Sequence, residues 1–166
     1  MEVIEHPQDP TTGRYLIAVH VSSVTELGQL PATPSKHFVL FVAADGDPLP
    51  RHALVAAARS AVDSGAVYVC AWGSACHEVE LAFDLVAVER DQTIADAGVI
   101  MTTCHERETL ESALWFALNT AWPDETYEAT CNTLVAVAVA NSDRFKLINA
   151  GLSSPRDLWL AVQAQD

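Results

Sequence analysis

The chain has 166 residues, half of them hydrophobic, which is enough to close one full core without metal or disulfide staples. Its 22 acidic residues against 9 basic ones give a formal charge of −13, leaving no basic stripe to neutralise phosphates, so nucleic acid and anionic membrane surfaces are disfavoured as partners. No run reaches the ~18 apolar residues of a membrane span, the first ten residues are polar and acidic rather than an export signal, and the four cysteines form no dense framework; one cytoplasmic domain over residues 1–166 with reduced thiols is expected.

Residues 1–13, carrying Pro7, Pro10 and Gly13 without an apolar period, read as a loose lead-in. A strand follows at about Tyr15–Val21. Gly28, Pro31 and Pro34 exclude a long helix over 22–36, although Ser23–Leu30 has room for one or two turns. With no crossover helix after it, this first strand is expected at an edge of the sheet, with an antiparallel direction open.

From His37 the pattern becomes regular. Phe38–Ala44 is a continuous apolar run, as in a strand buried on both faces, and it ends in Asp45-Gly46-Asp47-Pro48. Residues 50–63 carry Leu54, Val55, Ala58 and Val62 at helical spacing, with Gly65 placed to end the helix. A second unit pairs the strand Ala66–Ala71 with a helix from about Ala75 to Glu89, Ser74 standing at its N-cap position. A third pairs Gly98–Thr103 with an amphipathic helix near Thr109–Trp122, stopped by Pro123. An acidic loop, a fourth buried strand at Thr133–Ala140 and a short helix around Asp143–Ala150 follow. Ser154-Pro155-Arg156-Asp157 then opens a last helix.

Strands alternating with crossover helices predict an α/β fold: a three-layer Rossmann-like or flavodoxin-like domain on a mainly parallel sheet of four to five strands. Ligands of such sheets gather beyond the carboxyl ends of the strands. That rim collects the ligand-binding candidates Asp45, Asp47, Trp72, Gly73, Thr103, His105 and Asn141.

Cysteine and histidine chemistry concentrates there too. Cys76 and His77 fall in the first turn of their helix, where free N–H groups and the helix dipole favour a thiolate or an anion. If the second and third units are neighbours, Cys104, His105 and Glu106 project from the adjacent strand end, so a Cys–His pair or a Cys/His metal site becomes geometrically feasible. The catalytic candidates are Cys76, His77, His105, Glu106 and Asp45. The spacing lacks a zinc knuckle, so no metal and no cofactor is expected, and Cys70 should point into the sheet. Gly-x-Gly-x-x-Gly, Gly-Lys-Ser/Thr and Gly-x-Ser-x-Gly are all absent, which removes the common nucleotide sites and the hydrolase elbow. Asp45-Gly46-Asp47 with Thr102-Thr103 resembles haloacid-dehalogenase-like phosphotransferases, but the later lysine and acidic pair of those enzymes have no counterpart.

Cys70-Ala71-Trp72-Gly73, with Met101-Thr102-Thr103, His105 and Leu114-Trp115, resembles a bacterial family catalogued only as a domain of unknown function, over roughly the middle and C-terminal two thirds of the chain. No activity comes with the resemblance. It implies an aromatic residue where this chain has Cys104, and it directs attention to Trp72, Gly73, Thr103 and His105.

Two functions are compatible with these residues. One is a non-catalytic module binding a protein partner or a small ligand at the strand-end rim; the other is a small hydrolase or transferase using Cys76 or His105, with Asp45 or Glu106 as acid–base partner.

Overall fold

The first residues are not a loose lead-in. In the computed structural model, which describes residues 1–45, 49–93 and 98–164, Glu2–His6 forms a strand, β1, antiparallel to β2 (Tyr15–Val21). Its alternating polar residues and the adjacent Pro7 hide it from a search for apolar runs. They suit a partly solvated edge strand. β2 is therefore not an edge: β1 covers one side, and β6 (Cys131–Val139) pairs with the other in parallel.

The remaining strands are β3 (His37–Ala44), β4 (Ala66–Trp72) and β5 (Met101–His105), all parallel, and the six-stranded order is β1-β2-β6-β3-β4-β5. The structure is thus α/β with a mostly parallel sheet, one or two strands larger than expected. β6 inserts between β2 and β3, whereas Rossmann and flavodoxin sheets keep their last strand at an edge.

A 3-10 helix at Val24–Gln29 replaces the first crossover helix, as the glycine and prolines of that stretch require. It shares one face of the sheet with α1 (Arg51–Asp63) and α2 (Cys76–Thr93), packing on Val19, Leu40, Val42, Val69 and Ala71. The other face carries α3 (Leu110–Asn119), the short α4 (Glu125–Glu128), α5 (Ser142–Ser153) and α6 (Pro155–Gln163), over Leu16, Ala18, Phe41, Cys70 and Ala136. Side chains of successive strand residues divide between these two cores, which is why β3, β4 and β6 read as unbroken apolar runs.

Which face a crossover takes varies from strand to strand. β3 and β4 lead to α1 and α2 on one face; β5 and β6 lead to α3 and α5 on the other. Adjacent strands with diverging connections open a crevice at their carboxyl ends. Such places here include β6/β3 and β4/β5.

Candidate functional site: the strand-end rim around Trp72

Trp72, the last residue of β4, stands between the two crevices. Its neighbour Gly73 has φ +101°, and a Cβ there would sit 2.4 Å from the Ala44 carbonyl oxygen, so only glycine lets the chain leave β4 this close to β3. Turned away from α2, the indole is 8% exposed and donates its N–H to the Glu108 carbonyl at 2.8 Å.

On the β6/β3 side, the Arg144 guanidinium lies 4.9 Å from the centroid of the Trp72 ring and bonds Asp45 at 3.0 Å. Asp45 follows the last residue of β3 and Arg144 lies in the first turn of α5, so the pair spans the crevice. The Arg144 bond, with help from Ser74, holds the Asp45 carboxyl below the usual carboxylate range. Asn141, a ligand-binding candidate, is the N-cap of α5: its Oδ1 accepts from the N–H groups of Asp143 and Arg144, both at 3.1 Å. Ala140 just before it holds a left-handed φ of 53°.

On the β4/β5 side, pairing sets Cys70 beside Thr103, Ala71 beside Cys104 and Trp72 beside His105. Alternation along β5 then sends Cys104 toward α2 and its two neighbours toward α3. Buried His105 packs 4.8 Å from the Phe116 ring, with Nδ1 3.0 Å from Glu108 Oε1 and Nε2 3.0 Å from Thr103 Oγ1. A carboxylate at Nδ1 favours the proton there, leaving Nε2 to accept from the Thr103 hydroxyl.

This parity separates Cys76 from His105, while ligand atoms of Cys76, Cys104 and His77 lie within 4.8 Å of one another. Cys76 and His105 belong to opposite faces of the sheet. The expectation of reduced thiols fails, since Cys76 and Cys104 are joined in a disulfide with their Cα atoms 5.4 Å apart. His77, two-thirds exposed, lies 3.6 Å from Glu80 and 3.7 Å from Glu106. Cys70 and Cys131 are buried free thiols; burial pushes Cys70 up to about 12 and Cys131 up to about 11, so neither is a nucleophile near neutral pH. Asp47 lies outside the described residues.

Arg144 and Glu108 complete the rim and were not evident from the sequence. Arg144 carries no signal beyond its place in the first turn after a strand end, and Glu108 none beyond three-residue spacing from His105. The larger cavities among the described residues lie elsewhere. A cleft of about 730 Å³ at the opposite ends of the strands is lined by Lys36, His37, Arg59 and Arg90 among others, and one of about 620 Å³ adjoins Trp115 and Trp159.

The profile of one protein family spans residues 16–155, from β2 to the first residue of α6. The chain belongs to the family described as a domain of unknown function, DUF7684. Every rim residue named above falls within the DUF7684 match, while β1 lies before it. The resemblance to a family catalogued as a domain of unknown function is thus borne out. No curated protein matches the chain. None of the helices among the described residues is long and apolar enough to cross a membrane.

Proposed function

We propose that this DUF7684 chain is a non-catalytic module that binds a protein partner on the strand-end rim centred on Trp72. The observation that carries this reading is the Arg144–Trp72–Asp45 arrangement across the β6/β3 crevice: a cation stacked on an aromatic ring and held by one carboxylate, at the place where sheets of this class receive ligands. Strain at Ala140 beside it is of the kind that collects at binding sites. The groups that would do chemistry are engaged with one another instead: Cys76 with Cys104, and His105 with Glu108 and Thr103.

Charge narrows the partner. Asp45, Glu78, Glu80, Glu106, Glu108 and Asp143 surround the rim against Arg107, Arg144 and Lys146, so a basic surface on the partner is favoured. Titration of ¹⁵N-labelled protein with short lysine- and arginine-rich peptides tests this. Salt-sensitive shifts at Trp72–Glu80, Thr103–Thr109 and Asn141–Arg144 are expected, and they should vanish in Asp45→Asn combined with Glu106→Lys. Shifts confined to the cleft around His37 and Arg90, or none, would overturn the reading.

A small hydrolase or transferase is the second reading. The Glu108–His105–Thr103 chain favours it, because a carboxylate, an imidazole and a hydroxyl follow one another at 3.0 Å spacing. Turnover of activated ester or phosphoester probes that is lost in His105→Gln would support it over the binding module.

A further inference from the structure

The rim-binding reading leaves unused the cluster on the α2 face of β5. Cys76 opens α2, Cys104 lies one residue before the end of β5, and His77 follows Cys76; one ligating atom of each lies within 4.8 Å of the others. We propose that, once the Cys76–Cys104 disulfide is reduced, the chain holds one Zn²⁺-class ion on the two sulfurs and a ring nitrogen of His77. This inference does not rest on partner binding at Trp72.

The geometry is close to what the ion needs. Tetrahedral zinc, with Zn–S near ~2.3 Å and Zn–N near ~2.0 Å, places its ligand atoms roughly 3.5–4 Å apart. From the disulfide, side-chain rotation alone must separate the two sulfurs, because the helix start and the strand end fix the backbone. Thiolate and imidazole donors select zinc, cobalt or copper(I) over magnesium or calcium. Two thiolates neutralise a divalent ion, and the N-terminal end of α2 favours the negative sulfur of Cys76. Glu80 and Glu106 flank the imidazole, so whichever ring nitrogen meets the metal, a carboxylate stands near the other, as metal-bound histidines require. Exposure of His77 leaves an entry path and a fourth position for water.

The chemistry balances in two steps. A dithiol or phosphine reductant supplies two electrons, and the S–S bond breaks to two thiols with uptake of two protons. The ion then displaces those two protons to solvent as two metal–sulfur bonds form. Oxidation by a peroxide-class oxidant takes the two electrons back, re-forms the disulfide and releases the ion. Redox state would then decide metal occupancy.

Cobalt(II) reads this directly. The protein is reduced with a phosphine, freed of reductant without oxygen, and titrated with Co²⁺ while absorbance is followed. Expected are one equivalent bound, near-ultraviolet sulfur-to-cobalt charge transfer, visible bands of tetrahedral intensity, and displacement by Zn²⁺. Cys76→Ser and Cys104→Ser should each abolish the charge-transfer band, Cys70→Ser should leave it, and His77→Ala should weaken affinity at least ~10-fold. Absence of the band in reduced protein, when alkylation of a parallel sample shows Cys76 and Cys104 to be free thiols, overturns the proposal, as does unchanged affinity in His77→Ala. If the reduced chain unfolds, recovery of its far-ultraviolet dichroism with one equivalent of Zn²⁺ supports the site, and failure to recover overturns it.

Discussion

At Gly73 a single hydrogen atom decides whether β4 can turn into α2. Ala44 leaves no space for a Cβ, and the left-handed φ penalises any other residue. Gly73→Ala is therefore expected to cost about 2 kcal/mol or more, read as a lower urea midpoint with an unchanged m-value. The cysteines differ as sharply among themselves. Native, unreduced protein should show no thiol to an Ellman-type reagent at neutral pH; denaturation should reveal two, Cys70 and Cys131, and reduction after denaturation four. Two reactive thiols in the native protein would mean that Cys76 and Cys104 are not paired. Neither outcome is legible in the residues, since cysteine in an apolar run is equally a small hydrophobe and half of a bridge.

Elements are joined by a few buried or bridging charges. Arg14, between β1 and β2, is 1% exposed and donates from its two terminal nitrogens to the carbonyls of Ala117 and Ala121, both at 2.6 Å, with the Trp122 ring 4.9 Å away. It closes the C-terminal end of α3, where carbonyls lack intrahelical partners and the helix dipole is negative. Arg14→Met should lose about 2–4 kcal/mol in chemical denaturation, because two buried acceptors are stranded. The Asp45–Arg144 pair ties the end of β3 to the start of α5. Its carboxyl titrates below its ordinary value in the folded chain, so the pair's stabilisation is fully present above the unfolded pKa of about 4 and is lost as pH falls through the lower folded value. The stability gap between wild type and Asp45→Asn should accordingly be largest near neutrality, shrink toward about pH 3, and narrow in high salt because the pair is partly exposed. A gap independent of pH would rule out the charge as its source.

β3, β4 and β6 are legible as continuous apolar runs because both of their faces are buried. The outer strands are not. β1 alternates exposed and half-buried residues, and β5 begins at Met101 rather than at the expected Gly98, its first four residues only partly covered. Edge strands have weak patterns because one side meets solvent.

For the whole molecule, the Cys76–Cys104 bridge closes a loop with a sequence separation of 28, tying α2 to the edge strand β5. Chain-entropy reasoning puts the loss on reduction at about 3–4 kcal/mol. It would be measured as the urea stability of oxidised against reduced protein, both in chelator so that no metal contributes. Equal stability would mean that the bridge is absent or strained.

The sequence by itself determined the α/β alternation and the buried central strands, because these depend on local apolar pattern and on Gly/Pro punctuation. Only the tertiary structure decided the insertion of β6 between β2 and β3, the stacking of Arg144 on Trp72, and the parity of β5 that sends Cys104 to Cys76 and His105 to Glu108. Each of these depends on which strands become neighbours and in what register. A shift of one residue would reverse the faces of Cys104 and His105, and nothing in the local composition of Met101–His105 sets that register.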